Sequence, residues 1–166
     1  MEIQKYPTDN EITSQGLRLE FWRKSVEFIS TAPLIGHGTG SIRPLFQQAA
    51  TGETGLSGAA TSNPHNQILA VAIQLGLVGV VILCAMWLAH LRLFLGAGLA
   101  AWIGLTIVVQ NMLGSLFHSH LFDFTEGWMY VTFIGILGGM QRRDIDALQS
   151  LNAFLKTFGG LRKGET

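Results

Sequence analysis

The fold of this chain is decided by the stretch NPHNQILAVAIQLGLVGVVILCAMWLA, residues 63–89. From Gln67 to Ala89 the only polar side chains are those of Gln67 and Gln74. As an α-helix this run covers about 34 Å, slightly more than the hydrocarbon core of a bilayer. The sequence therefore predicts a membrane span at 67–89.

Two further apolar stretches follow the first one. Residues 94–113 carry no formal charge and few polar side chains, which predicts a second span. Residues 121–140 are apolar in their second half, but Asp123 and Glu126 lie in the first turns. We place these acids in the headgroup region, beside aromatic side chains that would form an interfacial belt. The sequence thus predicts an all-α polytopic membrane protein with about three transmembrane helices.

Composition does not indicate a nucleic-acid partner, and it rules out an intrachain disulfide. Hydrophobic residues make up 48% of the chain, charged residues 13%, and the formal net charge is zero. No nucleic-acid partner is therefore indicated by bulk charge. Cys84 is the single cysteine, so the chain cannot form an intrachain disulfide.

The distribution of basic residues predicts the orientation. All of them lie outside the three apolar stretches, and those in a short turn at 90–93 and at 141–143 adjoin predicted spans. The positive-inside tendency places both of these segments in the cytoplasm. Three spans, the first of which is entered from the outer side, make an incomplete membrane protein. We therefore expect this chain to be the C-terminal portion of a longer polytopic protein. The predicted regions are a polar segment 1–14, an outward-facing loop 15–66 with an amphipathic helix, a membrane region 67–140 and a cytoplasmic tail 141–166.

The outer segment begins with an amphipathic helix, predicted at 15–31 and ended by Pro33. At about 100° per residue, four charged side chains share one arc that we interpret as a solvated face: Glu20, Arg23, Lys24 and Glu27. Arg18 lies off this arc and points to the apolar side. It is either a snorkelling arginine or a clamp for an anion such as phosphate at the membrane surface.

Two loops are predicted after this helix. The first, PLIGHGTG at 33–40, has alternating glycines but matches no nucleotide-binding motif, and we interpret it as a tight turn. The second, at 47–62, is small and polar, and is predicted to be a flexible loop able to serve as a lid. Arg43 lies between them and is a candidate second cation for a substrate.

His65 is the candidate catalytic group. Asn63 suits an N-cap and Pro64 the first helical position, which would place His65 in the first turn of the span. The positive helix end favours an anion and lowers the imidazole pKa, so the ring stays neutral and can accept a proton. A neutral histidine there suits a general base beside a phosphate leaving group. The alternative is an interfacial histidine that only caps a helix.

A second polar group lies in FHSHLFDFTE, residues 117–126. His118, His120, Asp123 and Glu126 are possible ligands for zinc or a harder divalent ion. Because no closed metal-binding motif appears, we favour an interfacial loop over a metal site.

Several motifs, taken in order and spacing, resemble the C-terminal part of the O-antigen ligase and O-antigen polymerase superfamily over about residues 16–140. They are Arg18-x-x-x-Trp22, PLIGHGTG, and His65-Asn66 followed by Gly76-x-x-Gly79. The resemblance implies a multi-pass glycosyltransferase of the bacterial inner membrane with its active face in the periplasm. The essential arginine and histidine of the family's periplasmic loop map onto Arg18 and His65, which are the predicted catalytic residues. Arg43 and Asn66 are the predicted substrate-binding residues.

The implied reaction moves a glycan from an undecaprenyl diphosphate carrier to an acceptor hydroxyl, such as one on lipid A core. It proceeds with inversion and without a metal, a nucleotide or another cofactor. Arg18 would neutralise the diphosphate and His65 would deprotonate the hydroxyl. The expected partners are this donor, the acceptor, membrane lipids and the family's N-terminal half, without which we expect the chain to be inactive.

Three other functions stay open at this point. Within the superfamily, an O-antigen polymerase would use a second lipid-linked repeat as acceptor, and a protein O-oligosaccharyltransferase would use a Ser or Thr hydroxyl. A non-catalytic membrane subunit or truncated remnant would use the outer helix and His65 only as anchors. A transporter is disfavoured because the first span has no charged residue at mid-membrane.

Overall fold

The computed structural model describes residues 13–161, and every regular element within them is helical. The all-α prediction is confirmed for this part of the chain. Most of the polar segment 1–14 lies outside the described residues. The elements are α1 (Ser14–Thr31), α2 (Ile42–Ala50), α3 (Gln67–Leu93), α4 (Leu99–Gly114), a 3-10 helix (His120–Phe122) and α5 (Phe124–Leu161).

One helix of the described residues is both long and apolar enough to cross a membrane. This is α3, with 27 residues, and it contains the first predicted span. Helix α4 is apolar but has only 16 residues. The third predicted span, 121–140, begins three residues before α5, and the rest of it lies in this helix, which continues to Leu161. The second and third spans therefore stay predictions.

The turn between α3 and α4 differs from the prediction. Residues 90–93 were expected to form it, but they are the last turn of α3, and the chain turns at 94–98 instead. Gly98 precedes α4 with φ of 107°, a conformation that favours glycine. The second apolar helix therefore begins at Leu99, directly after this glycine, and not at residue 94.

The outer elements pack on the first half of α3 around Phe46, which is fully buried. Its ring contacts those of Phe21 and Phe28 edge to face, at centroid distances of 5.6 and 5.1 Å. The prediction of a flexible loop at 47–62 is wrong in part. Helix α2 continues to residue 50, and Leu56 in the following turns is buried.

Helix α1 was predicted nearly to its observed bounds, but its solvated face is only half exposed. Glu20 and Lys24 retain 4% and 3% exposure, respectively. The Glu20 carboxylate accepts two hydrogen bonds from the Arg23 guanidinium, and Lys24 donates to the Ser57 carbonyl. The turns at 51–62 cover this face, and the buried charges have partners, as buried charges require.

Helix α3 is interrupted at Gly76, where φ is 61° and ψ is −155°. Residues 33–40, here called the strap, lie against this break and are not an isolated tight turn. Four backbone hydrogen bonds join them: Leu77 N to Pro33 O (2.8 Å), Val78 N to Leu34 O (3.2 Å), His37 N to Ile73 O (2.9 Å) and Gly38 N to Gln74 O (2.9 Å).

These four bonds replace two bonds of a regular helix. Without the break, Leu77 N and Val78 N would donate to the carbonyls four residues earlier. The strap accepts from both amides and donates to both carbonyls, so the groups stay paired where an apolar solvent would penalise free ones. Leu34 and Ile35 at its tip are 65% and 75% exposed, which suits contact with lipid.

Candidate functional site

His65 lies directly before α3 in a left-handed conformation, with φ of 56°. Its amide donates to Asn63 Oδ1 at 2.8 Å, while Asn66 Oδ1 accepts from Leu69 N at 3.0 Å. Asn66 is therefore the N-cap and Gln67 the first helical residue. The prediction that Asn63 caps the helix and that Pro64 and His65 begin it is wrong, because Asn63 closes a local turn instead.

The start of α3 is fastened to the segment after α4. Asn66 Nδ2 donates to the Leu116 carbonyl at 3.0 Å, and Gln67 N donates to the Ser115 carbonyl at 2.8 Å. Gln67 Oε1 accepts from Leu121 N at 3.0 Å, and this glutamine is fully buried. These bonds place His65 against residues some fifty positions later in the chain.

Asn66 and Gln67 thus have structural tasks that the sequence did not suggest. Both polar ends of the Asn66 amide are occupied by backbone groups. Its contact with a substrate stays a prediction. Gln67 was not predicted to be a site residue. A glutamine at the first position of an apolar run is the sequence signal that could have identified it.

Helix α1 is tied to the other side of His65. Trp22 Nε1 donates to the carbonyl of Pro64 at 3.0 Å, and Pro64 is fully buried. Arg18 lies one helical turn before Trp22. Arg18 is exposed, and the direction of its guanidinium toward the apolar side stays a prediction. The hydrogen bond from Trp22 therefore holds α1 beside His65. The four-residue spacing places Arg18 on the same face of α1 as Trp22.

The charge of Arg18 acts on the His65 imidazole. Burial lowers the pKa of the His65 imidazole, and the charge of Arg18 lowers it further, with a smaller contribution from His118. The neutral ring is thereby favoured near neutral pH. Arg43, on α2, is exposed, and no hydrogen bond or ion pair within residues 13–161 joins it to His65.

A histidine cluster, defined as His118, His120 and Glu126, adjoins His65. The ring centroid of His118 lies 5.7 Å from that of His65 and 5.1 Å from that of His120. His120 Nδ1 hydrogen-bonds to Glu126 Oε2, and His118 Nδ1 lies 3.8 Å from the same oxygen. Three of the four candidate ligands predicted from the sequence therefore converge.

The fourth candidate ligand, Asp123, has another role. Its Oδ1 accepts from the amides of Thr125 and Glu126 at 3.0 and 3.3 Å, at the beginning of α5. An aspartate that caps a helix in this way fixes the direction of the first turn. Asp123 thus positions Glu126 and does not join the cluster.

The cluster borders a cavity between α4 and α5. The cavity has a volume of about 260 Å³. An adjoining groove of about 600 Å³ along α4 shares Gln110 and His120 with it. The groove is walled by exposed apolar side chains of α4, including Trp102 and Leu113. A polar cluster next to apolar space suits a ligand with a charged head and an apolar tail.

A sequence model of the O-antigen ligase family matches residues 2–84, which are 83 of the 166 residues of the chain. The chain belongs to the O-antigen ligase family. Proteins of this family are membrane proteins, in agreement with the apolar helix α3. No curated protein matches the chain significantly.

The O-antigen ligase match covers the residues around Arg18 and His65. It contains all four predicted site residues and ends within α3 at Cys84. The match therefore includes α1, α2, the strap and the break at Gly76. The histidine cluster lies beyond it in the chain, although the cluster adjoins His65 in space.

We expect Trp22→Phe to loosen the segment that carries His65. Phenylalanine keeps an aromatic ring but cannot donate to the buried Pro64 carbonyl, which should lower the free energy of unfolding by about 1 to 3 kcal/mol. Amide hydrogen exchange at His65 and Asn66 should become faster. Denaturation in detergent micelles and exchange mass spectrometry measure the two effects.

Trp128→Phe is the matched control, because Trp128 is exposed on α5 and makes no described hydrogen bond within residues 13–161. It should change neither quantity appreciably. If both variants are equally stable and exchange equally, the bond from Trp22 does not hold the site together.

Proposed function

We propose that this chain carries the catalytic centre of an O-antigen ligase at the periplasmic face of the bacterial inner membrane. The reaction moves a glycan from an undecaprenyl diphosphate carrier to an acceptor hydroxyl, such as one on lipid A core. The observation that carries this proposal is that Trp22 ties α1, the helix of Arg18, to the Pro64 carbonyl beside His65, so that the charge of Arg18 lowers the pKa of the imidazole.

In this mechanism His65 is the general base. Its pKa is lowered by burial and by Arg18, so the ring is available to accept a proton. Since Nδ1 is buried and has no hydrogen-bond partner among the described residues, we assign proton transfer to Nε2. The left-handed backbone of His65 supports this assignment, because strained conformations of this kind cluster at functional sites.

Arg18 binds the leaving group. Its exposed guanidinium can donate two parallel hydrogen bonds to phosphate oxygens and remains charged at any relevant pH. The acceptor oxygen attacks the anomeric carbon while the bond from that carbon to the diphosphate breaks. The hydroxyl proton passes to His65, and the diphosphate stays on the carrier, where Arg18 stabilises its charge.

The apolar surface beside the site supports a lipid-linked donor. The cavity between α4 and α5 and the groove along α4 would take part of the polyprenyl tail, with the head group at the polar end. The exposed apolar tip of the strap would also contact lipid. The proximity of Arg18 to His65 favours an enzyme over a non-catalytic subunit or truncated remnant, since anchoring alone needs no such convergence.

We expect Arg18→Ala to reduce ligation by at least about 100-fold, the usual cost of removing one donor that stabilises developing negative charge. Arg18→Lys should retain part of the activity, because lysine keeps the charge but not the paired donors. The test expresses the encoding gene in a ligase-deficient strain that makes the cognate O-antigen. Glycan attached to lipid A core is then quantified on gels.

Arg92→Ala is the matched control, since Arg92 lies in the last turn of α3, at the opposite end from His65. It should ligate like wild type, and all variants are compared at equal protein levels in the membrane. Wild-type ligation by Arg18→Ala would refute the proposed role. A wild-type chain that extends lipid-linked glycan without attaching it to lipid A core would identify a polymerase instead.

A further inference from the structure

The histidine cluster has the donor atoms of a metal site. One ligand atom from each of His118, His120 and Glu126 lies within 4.8 Å of the other two. The Nδ1 atoms of both histidines face the same carboxylate oxygen of Glu126. We propose that these three residues bind one divalent transition-metal ion, of the class represented by zinc.

The donor set determines the class of ion. Two imidazole nitrogens and one carboxylate oxygen suit zinc and its neighbours in the first transition row, whereas calcium and magnesium prefer oxygen ligands alone. Three protein ligands also leave a coordination position open for water or another small ligand. The family resemblance implied no metal, so this site goes beyond the proposed reaction.

An unpaired buried atom supports the proposal. His118 Nδ1 is buried and has no hydrogen-bond partner among the described residues. It lies 3.8 Å from Glu126 Oε2, which is too far for a hydrogen bond. A buried polar atom without a partner is unfavourable, and an ion bound between this nitrogen and the carboxylate would satisfy both.

The surrounding structure holds the ligands in place. His120 Nε2 packs against Gly114, where a Cβ would lie 2.3 Å from it, so Nδ1 is left as the ligand atom. Glu126 follows the Asp123 cap in the first turn of α5. The intervening segment is fastened to α3 through Asn66 and Gln67. Ligands fixed in this way bind without a large ordering cost.

The proposal is tested on the full chain, purified in detergent with an affinity tag that contains no histidine and stripped with EDTA. We expect wild type to take up one Zn²⁺ per chain, measured by mass spectrometry of the metal. Co²⁺ should bind at the same site with visible absorption bands of low-coordinate cobalt. His118→Ala, His120→Ala and Glu126→Gln should each weaken Zn²⁺ binding by at least about 10-fold.

A histidine variant outside the ligand set serves as the control. His37→Gln, on the strap, should bind Zn²⁺ like wild type. Absence of stoichiometric Zn²⁺ uptake by folded wild type would overturn the proposal, as would unchanged affinity in the three ligand variants. If an alanine variant fails to fold, His118→Gln or His120→Gln replaces it. The outcome is independent of the proposed reaction, because neither Arg18 nor His65 is a ligand.

Discussion

Replacing His65 by asparagine is expected to reduce glycan transfer by at least about 100-fold while leaving the fold intact. The loss follows from removing the general base, whose contribution is typically 10²- to 10⁴-fold. Asparagine is chosen because it tolerates the left-handed conformation observed at this position, with φ of 56°. Alanine would remove the base and strain the backbone together, so its effect would be ambiguous.

The measurement uses purified protein and a labelled glycan on undecaprenyl diphosphate, with lipid A core as acceptor. His37→Gln is the matched control, since His37 is an exposed histidine that hydrogen-bonds to the Phe28 carbonyl, away from Arg18. It should transfer glycan at close to the wild-type rate. Full activity in His65→Asn would mean that the histidine only shapes the turn before α3.

The second large effect is expected at the break in α3. Gly76→Ala should lower the free energy of unfolding by at least about 3 kcal/mol, which is severe for one methyl group. The backbone at Gly76 occupies a region that is almost restricted to glycine. In addition, a Cβ there would lie 2.4 Å from the carbonyl carbon of Leu34. The alanine must therefore push the strap away from α3. The backbone hydrogen bonds between the strap and α3 would then be lost.

Gly36→Ala should have a similar effect for the reciprocal reason, because its Cβ would lie 2.4 Å from the carbonyl carbon of Gln74. The two substitutions should be less than additive in the double variant, since each disrupts the same contact. Gly139→Ala on α5 is the control, as nothing lies within 4 Å of its Cβ position. Alanine is the better helix former there, so stability should be equal or slightly higher.

Unfolding in mixed micelles, followed by circular dichroism, compares these variants. If Gly76→Ala and Gly139→Ala unfold alike, the strap does not support the break. The comparison also concerns function, because Asn66 and Gln67, the N-cap and first residue of α3, position the segment beside His65.

Local patterns were sufficient for several elements. Helix α1 was predicted at 15–31 and is observed at Ser14–Thr31, and the apolar run that starts at Gln67 is helix α3. Both signals depend on neighbours within a few residues, namely periodicity, the restriction before Pro33, and hydropathy. The ordered motifs also identified the family, which the match over residues 2–84 confirms.

Only the tertiary structure decided how these parts meet. Periodicity placed Glu20 and Lys24 on a solvated face, but the turns at 51–62 bury them. The alternating glycines of the strap carried no local sign that Gly36 would lie against Gly76. His118 and Glu126 were nominated by residue type alone. Hydrogen bonds at Asn66 and Gln67 fasten their segment to the start of α3, where the ring centroid of His118 lies 5.7 Å from that of His65.

The sequence by itself therefore determined α1, the apolar helix α3 and the membrane character, and it nominated two residues for catalysis. The tertiary structure decided that Arg18 lies close enough to His65 to lower its pKa, and that α3 breaks where the strap can pair with it. The physical reason is the distance along the chain over which each kind of interaction acts. Helix propensity and hydropathy act between residues that are close in the chain, whereas these contacts join distant residues whose polar groups find partners only once the helices have packed.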